Sequence, residues 1–229
     1  MANNIVSMFW KNIDPKIVSC QKRVFSHFGY EVIQVEAHGV DHGAFIDDRM
    51  KSLRPGDNIL LVDIDCFPTN GAVVPYAFDA AERGRIFGCA QTANHISADK
   101  IYAGPMFLSI SKNTWDAIDR PSAQLAPTHD VGQLFTDRAI AMGKAVELIF
   151  PTITILPKWK MAQSHLFGIG TFYEGKVFHL FESHVSPYQF ILEDVAAKIC
   201  SGDNVDFFAL MKKAQFVSRF EKLFKFAKR

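Results

Sequence analysis

The sequence predicts an α/β fold in which helices flank a mostly parallel sheet. Short apolar runs suited to buried strands alternate with segments that repeat apolar residues at helical spacing. The run at 59–62, Ile-Leu-Leu-Val, is apolar throughout, which is typical of a strand buried on both faces. Because parallel neighbours need a crossover connection, the alternation of strand and helix favours parallel pairing. With 229 residues, 48% of them hydrophobic, the chain is large enough for one such domain.

Three strands and two helices are predicted in the first third of the chain. Asp14 and Pro15 suit the N-cap and first turn of the first helix, and Gly29 suits its end. A turn at 55–57, Pro-Gly-Asp, leads into the third strand. In chain order we predict a strand at 5–10, a helix at 15–28, a strand at 31–35, a helix around 45–53 and a strand at 59–62.

The rest of the chain continues the alternation and then changes character. Thr128 suits the cap of a helix from about Asp130 to Ala141. Glu174 and Gly175, flanked by aromatic and β-branched residues, predict a hairpin turn. The predicted elements are a helix at 76–83, strands at 86–90 and 106–110, a helix at 113–118, the helix at 130–141, a small late β-hairpin within 165–182, and helices at 189–199 and 205–228. These elements predict one domain at 1–186 and a helical C-terminal extension at 187–229 that packs on it.

Two acidic residues, Asp63 and Asp65, follow directly after the apolar run at 59–62. Ligands of open α/β sheets bind beyond the carboxyl ends of the strands. If the strand ends there, both carboxylates reach one cation, and such hard oxygen ligands suit Mg²⁺ or Mn²⁺. The alternative is a pair of surface acids that cap the next turn. Since charges at the end of a buried strand need a partner, the two interpretations are equal candidates.

The acids lie in a segment, 60–68 (Leu-Leu-Val-Asp-Ile-Asp-Cys-Phe-Pro), that resembles the Asp-x-Asp segment of GT-A-type glycosyltransferases. Three later segments follow in the order of that family. Residues 102–111 resemble the strand under the donor sugar, although Ala103 stands where the family frequently has asparagine. Residues 129–133 resemble the acidic segment near the acceptor, and 176–181 resemble the late strand with a histidine metal ligand.

The resemblance implies a GT-A-like, Rossmann-type fold and a divalent-metal-dependent, hexosyltransferase-like enzyme. Such an enzyme moves a sugar from a nucleotide-diphosphate-sugar donor to a hydroxyl acceptor. The resemblance implies that Asp63, Asp65 and His179 bind Mn²⁺ or Mg²⁺, and that Asp63 also contacts the donor ribose. His184 competes with His179 for the ligand position, because residues five apart face opposite sides of a regular strand. Asp130 is the candidate for catalysis, as the base for the acceptor hydroxyl or as a group that orients a sugar; its alternative is a first-turn helix acid.

The remaining candidates belong to the donor region. Phe9 and Trp10, at the end of the first strand, are expected beneath the nucleotide base, although aromatic residues there also suit the core. Gln91 follows a strand and suits hydrogen bonds to sugar hydroxyls. Gly104 and Pro105 are expected to shape the wall beside the sugar, with close packing as the alternative role for the glycine.

Two other function classes compete with glycosyl transfer. Haloacid-dehalogenase-like phosphatases also place Asp-x-Asp at the end of a strand, with the first acid, here Asp63, as the nucleophile and the second, Asp65, as the acid and base. That motif usually continues with a small residue and then Thr or Val, whereas Cys66 and Phe67 follow here. A non-catalytic nucleotide-sugar-binding module would keep the same ligands without turnover.

Composition and the C-terminal segment bear on partners and location. A net charge of +1 indicates no nucleic-acid partner. Because the four cysteines are scattered and residues 1–4 lack a basic region, we expect a cytoplasmic protein with free thiols. The segment at 205–228 joins aromatic and basic residues at helical spacing, which suits either packing on the domain or a peripheral contact with an anionic membrane.

Overall fold

The structure, a computed structural model, describes residues 2–184 and 187–227, with the backbone alone for 220–227. The strands of these residues are β1 (Asn3–Trp10), β2 (Ile33–Ala37), β3 (Asn58–Asp63), β4 (Cys66–Pro68), β5 (Ile86–Thr92), β6 (Ile101–Ser111), β7 (Val146–Ile149), β8 (Pro151–Lys160), β9 (Leu166–Tyr173) and β10 (Val177–Leu180). The helices are α1 (Pro15–His27), α2 (His42–Ser52), α3 (Val73–Glu82), α4 (Lys112–Ala117), α5 (Gln133–Ala141), α6 (Gln189–Ser201) and α7 (Phe207–Ala227).

Six strands form the main sheet in the order β2-β1-β3-β6-β5-β7. Five of them run in the same direction, and β6 lies antiparallel between β3 and β5. The chain places β2 on one side of β1 and β3 on the other, which creates a topological switch point beside β1. The prediction of an α/β fold with a mostly parallel sheet is therefore confirmed.

The main sheet is buried on both faces. Leu60 and Val62 belong to a core cluster shared with α1, α3 and α6, whereas Ile59 and Leu61 belong to a second cluster shared with α2, α4 and α5. Successive side chains of a strand point to opposite faces, so an apolar run with no polar alternation is what this layered arrangement requires. The prediction that the run at 59–62 is buried on both faces is confirmed.

The helix predicted at 130–141 with a Thr128 cap is wrong at its start. Helix α5 begins at Gln133, and its N-cap is Gly132, whose φ of 73° lies in the left-handed region. A glycine takes this conformation without the steric cost that a Cβ would add, and it stops the helix from extending backward. Asp130 therefore precedes the helix and is not an acid of its first turn.

A second sheet is antiparallel and has the order β4-β10-β9-β8. The predicted hairpin turn is confirmed, since Glu174 and Gly175 both take positive φ between β9 and β10. Strands β4 and β8, which the sequence analysis did not predict, extend this hairpin to a four-stranded sheet. Strand β4 has only three residues, and β8 is irregular, with register shifts and a positive φ at Leu156 that hide its alternation.

The C-terminal helices lie against the larger core cluster. Helix α6 buries Ile191 and Leu192 there, and α7 buries Leu210 and Ala214. The division of the chain at residue 186 stays a prediction, since Ser186 itself lies outside the described residues. Within the part of the chain that the structure describes, no helix combines the length and apolarity needed to cross a membrane. Of the basic residues near the C-terminal end, Lys222 and Lys225 are described by their backbone alone, and Lys228 and Arg229 lie outside the described residues.

Candidate active site at the carboxyl edge of the main sheet

A cavity of about 270 Å³ lies where β1, β3 and β5 end and β6 begins. Among the described residues that line it, none is a lysine or an arginine. The lining instead includes four acids and three histidines. They are Asp63, Asp65, Asp130, Glu182, His42, His179 and His184. A polyanionic ligand therefore meets no permanent positive side chain on these walls, and its charge has to be balanced by a bound cation or by protonated histidine.

Three of these groups form a tight cluster. One ligand atom each from Asp63, Asp65 and His179 lies within 4.8 Å of the other two. The Nε2 atom of His179 is 3.2 Å from Oδ1 of Asp65 and 3.6 Å from Oδ2 of Asp63. The side chains differ in access, because Asp63 is 25% exposed whereas His179 is 5% exposed. The sequence prediction named these three residues as metal ligands, and the structure brings them together.

Strand ends and strand pairing fix this cluster. Asp63 is the last residue of β3, and the antiparallel pairing of β10 with β4 sets His179 opposite Cys66. The N–H of Leu180 donates to the backbone oxygen of Asp65 at 3.0 Å. The buried amide of Gln21 donates to the backbone oxygens of Asp63 and Cys66, at 2.7 and 3.0 Å. Two sheets and α1 thus hold the turn that carries both acids.

The carboxyl of Asp65 is held as an anion. Burial acts to raise its pKa, but the neighbouring His179, which also hydrogen-bonds to it, and the hydroxyl of Ser183 outweigh burial and lower the pKa from its ordinary value. The Ser183 hydroxyl donates to Oδ2 at 2.6 Å, so Oδ1 is the oxygen that faces His179. Asp65 therefore offers a charged ligand oxygen at ordinary pH.

The carboxyl of Asp63 is less well compensated. Burial raises its pKa above the ordinary value, the charge of Asp65 adds to this, and His42 and His179 offset only part of it. The Nε2 atom of His42 is 3.4 Å from Oδ1 of Asp63. Since the described lining holds no lysine or arginine, neither acid has a permanently charged cationic partner there, which is the electrostatic condition that a divalent cation satisfies.

The geometry of the cluster fits a divalent cation. Ligand atoms about 2.1 Å from Mg²⁺ or Mn²⁺ and at right angles to each other are about 3 Å apart, close to the distances from His179 Nε2 to the two acids. Two carboxylates and one imidazole are a donor set for such a metal, and they leave coordination positions open. Among the described residues, the buried Nδ1 atom of His179 has no hydrogen-bond partner. The ring instead packs on Phe181, with 4.0 Å between ring centroids.

Asp130 lines the same cavity from the loop before α5. The hydroxyl of Tyr102 donates to its Oδ2 at 2.9 Å, and the N–H of Val131 donates to its Oδ1 at 2.8 Å. Its own N–H donates to Oε1 of Gln133 at 2.9 Å. A carboxylate with a fixed direction on the cavity wall is suited to accept a proton from a bound hydroxyl or to orient that hydroxyl.

The other predicted donor residues divide into two groups. Trp10, Gln91 and Pro105 line the cavity as expected. Phe9 does not, because alternation along β1 sends Met8 and Trp10 to the cavity and Phe9 to the larger core cluster. Gly104 also lies off the wall.

The position of Gly104 has a packing cause. A Cβ there would lie 2.2 Å from Sδ of Met106 and 2.4 Å from Oε1 of Gln91. The glycine thus allows the side chain of Gln91 to lie over the backbone of β6 at the cavity. Its close-packing role, the alternative at the sequence level, is the one that the structure supports.

Sequence reasoning missed three polar residues of the site. Tyr102 stands next to the departure at Ala103 but had no assigned role. The Nε2 atom of His42 is 3.4 Å from a carboxylate oxygen of Asp63. The hydroxyl of Ser183 donates to Asp65. His184 lines the cavity but is exposed and lies outside the cluster of three ligands.

The solved structures that resemble this chain include two of one galactosyltransferase. The catalytic domain of Drosophila β1,4-galactosyltransferase 7 in complex with xylobiose matches with a TM-score of 0.44 and 10% identity, over 72% of this chain and 69% of that chain. A mutant of that enzyme in complex with manganese, UDP-Gal and xylobiose matches with a TM-score of 0.38 and the same identity and coverage. Comparisons with protein-family models and with curated proteins find no match. Similarity at this level assigns no activity to the chain.

Proposed function

We propose that this chain is a divalent-metal-dependent glycosyltransferase that moves a sugar from a nucleotide-diphosphate-sugar to a hydroxyl acceptor. The observation that carries the proposal is the cluster of Asp63, Asp65 and His179 at the carboxyl edge of the main sheet. The cluster opens into a cavity whose described lining contains no lysine or arginine. A diphosphate is bound there only if a cation balances its charge, and this couples nucleotide binding to metal binding.

In this assignment Asp63, Asp65 and His179 hold Mn²⁺ or Mg²⁺, which supplies positive charge that neutralises the diphosphate and stabilises it as a leaving group. Ser183 keeps Oδ1 of Asp65 turned toward the cluster by occupying Oδ2. His42 holds the other side of Asp63. Trp10 offers an aromatic face at the end of β1, where the nucleotide base is expected.

Asp130 is assigned to the acceptor. The acceptor oxygen forms a bond to the anomeric carbon, the bond from that carbon to the diphosphate oxygen breaks, and the nucleoside diphosphate leaves with the electron pair. The proton of the hydroxyl passes to the carboxylate of Asp130. Gln91 and Pro105 form the cavity wall on the sheet side, where the sugar of the donor is expected.

The two other function classes are less well supported by the site. A phosphatase that uses Asp63 as a nucleophile needs that carboxylate free to attack, whereas His42 and His179 flank it on both oxygens. It also needs cationic side chains for the phosphate, and the described lining offers only histidines. A binding module without turnover would share the metal ligands, so only a rate measurement separates it from an enzyme.

The binding test uses calorimetry with UDP, GDP and ADP, with and without Mn²⁺. At least one nucleoside diphosphate is expected to bind only in the presence of the metal. Asp65→Ala is expected to weaken this binding at least about 100-fold, since even partners behind the ligands cost about 10- to 100-fold. Asp79→Ala is the matched control, because Asp79 is a surface acid paired with Arg83. Full metal-dependent binding by Asp65→Ala would rule out this assignment.

The turnover test uses a panel of nucleotide-hexoses with Mn²⁺ and measures release of nucleoside diphosphate. Glycosyl transfer to water is expected as a slow background reaction, and EDTA is expected to abolish it. Binding without release, also with sugar alcohols or disaccharides added as acceptors, would favour the non-catalytic module. Hydrolysis of an aryl phosphate with a trapped phosphoaspartate would favour the phosphatase.

A cytoplasmic location with peripheral membrane contact is part of this proposal. Helix α7 exposes Phe208 and Phe216 on the side away from buried Leu210 and Ala214. Basic residues accompany these aromatics along the segment, which suits anionic lipid headgroups. Co-sedimentation with phosphatidylserine vesicles but not with phosphatidylcholine vesicles is the expected result, and no difference between the two would contradict the membrane contact.

A further inference from the structure

Asp130 is fixed by a hydrogen bond at each carboxylate oxygen, and one of the two donors is a buried side chain. Tyr102, which is 0% exposed, donates its hydroxyl to Oδ2, while the N–H of Val131 donates to Oδ1. The N–H of Val131 helps to fix the position of the loop. The hydroxyl of Tyr102 fixes the rotation of the carboxylate, because it binds the oxygen that the N–H does not.

The surroundings of Tyr102 keep its hydroxyl in the donor role. Burial, together with the charge of Asp130 and the hydrogen bond to it, raises the pKa of Tyr102 above its ordinary value, so the phenol stays protonated. The loop is also docked independently of this bond. The hydroxyl of Thr136 accepts from the N–H of Ala103 at 3.0 Å and ties α5 to β6. Removal of the phenol oxygen therefore takes the donor from Oδ2 of Asp130, while α5 stays tied to β6 and the N–H of Val131 still binds Oδ1.

We infer that Tyr102 is a positioning residue that aims Asp130 at the acceptor hydroxyl. The inference rests on the proposed glycosyl transfer and adds to it a residue that acts through Asp130. A carboxylate that accepts a proton or orients a hydroxyl works only at hydrogen-bond distance and in the correct direction. Misplacement by about 1 Å can cost about 100-fold in rate, so a carboxylate that keeps only the Val131 donor is less well oriented and loses turnover, while the metal and donor sites stay intact.

The chain offers a matched control in Tyr173. This tyrosine of β9 is also 0% exposed, but its hydroxyl has no hydrogen-bond partner among the described residues. Tyr102→Phe and Tyr173→Phe thus remove the same atom from the same kind of environment. Only the first removes a bond to Asp130, so a difference between the two variants reports that bond and not the loss of a buried hydroxyl.

The experiment measures kcat and KM for Mn²⁺-dependent hydrolysis of the nucleotide-hexose that the unsubstituted protein turns over fastest, with water in place of the acceptor. For Tyr102→Phe we expect kcat to fall about 10- to 100-fold, with KM and the affinity for the nucleoside diphosphate with Mn²⁺ changed by less than about twofold. Tyr173→Phe is expected to keep kcat within about twofold. In an Asp130→Asn background, Tyr102→Phe is expected to cause no further loss in kcat, because both substitutions disrupt the same Tyr102–Asp130 pair.

The role of Tyr102 and the proposed glycosyl transfer are overturned by different results. If the unsubstituted protein turns over a nucleotide-hexose and Tyr102→Phe keeps full kcat, the role of Tyr102 is overturned and the proposed function stands. The role of Tyr102 is also overturned if Tyr102→Phe lowers kcat by the same factor in the Asp130→Asn background as in the unsubstituted protein. A loss of kcat in Tyr173→Phe as large as that in Tyr102→Phe overturns it as well. If the unsubstituted protein neither binds a nucleoside diphosphate with Mn²⁺ nor turns over a donor, the proposed function fails, and the role of Tyr102 fails with it.

Discussion

Strand β3 has acidic residues at both of its ends, and the two ends treat them in opposite ways. Before the strand, Asp57 accepts hydrogen bonds from the N–H groups of Ala2 and Arg54 and from the Arg54 side chain. At the carboxyl end, Asp63 and Asp65 face each other across His179. The amino end of β3 supplies its carboxylate with N–H and guanidinium donors, whereas at the carboxyl end the charge of Asp63 is only partly compensated by its neighbours.

The pKa values of Asp57 and Asp63 follow the same division, whereas His179 and Ser183 keep the pKa of Asp65 below its ordinary value. Burial acts to raise the pKa of Asp57, but the N–H donors of Ala2 and Arg54 and the Arg54 guanidinium outweigh it and hold the pKa below its ordinary value. Burial raises the pKa of Asp63, and Asp65 adds to the effect. The difference between Asp57 and Asp63 shows that an acid at a strand end contributes to stability where neighbouring groups donate hydrogen bonds to its carboxylate. Asp63 is available as a ligand because its charge is only partly compensated.

The largest expected effect tests which histidine completes the carboxyl end. His179→Ala is expected to weaken binding of Mn²⁺ at least about 100-fold, because it removes a ligand atom. His184→Ala is expected to change the affinity by less than about threefold, since His184 lies outside the cluster. Calorimetric titration with MnCl₂ alone measures both variants. A large loss in His184→Ala with little loss in His179→Ala would reverse the assignment.

A smaller effect is expected at the amino end, in stability and not in metal binding. The folded-state pKa of Asp57 is depressed, so its contribution to stability is present above the unfolded pKa of about 3.9 and is lost as the pH falls through the folded value. Asp57→Asn is therefore expected to lower the melting temperature at pH 7 and to flatten its fall between about pH 5 and pH 2.

Melting curves by circular dichroism over this pH range measure the effect. Asp48→Asn is the control, because Asp48 is an exposed acid that pairs only with Lys51 three residues away. Binding of Mn²⁺ by Asp57→Asn is expected to match that of the unsubstituted protein. If Asp57→Asn instead weakens Mn²⁺ binding as a ligand variant does, the contrast between the ends of β3 does not hold.

How far the sequence predicts the site depends on whether the signal is local. Asp63 and Asp65 follow an apolar run without interruption, so their place at a strand end is visible in the residues themselves. His179 was predicted through the family resemblance, because its approach to the acids depends on the pairing of β10 with the three-residue strand β4. A strand of that length leaves too little pattern to detect.

The polar residues behind the ligands depend on geometry that no local pattern carries. Tyr102 meets Asp130 because β6 begins at the cavity edge and a left-handed Gly132 starts α5 after the acid instead of before it. Ser183 reaches Asp65 only after β10 has ended at Leu180. Strand and helix types were predicted from periodicity, whereas the positions of these loops are set by tertiary contacts.

The smallest expected effect is also the sharpest test of the comparison, because its sign is opposite at the two ends of β3. In the absence of metal, the raised folded-state pKa of Asp63 means that its charged form costs stability near neutral pH. Asp63→Asn is therefore expected to raise the free energy of unfolding by about 0.5–1 kcal/mol, in the lower part of the range for single stabilising substitutions. Saturating Mn²⁺ is expected to reverse the order of stability, since only the unsubstituted protein gains the full stabilisation by the bound metal.

Urea unfolding with EDTA and with MnCl₂ measures the free energy of unfolding of both proteins without and with metal. A loss of stability in EDTA, like that expected for Asp57→Asn, would make Asp63 a structural acid and remove the distinction between the two ends of the strand.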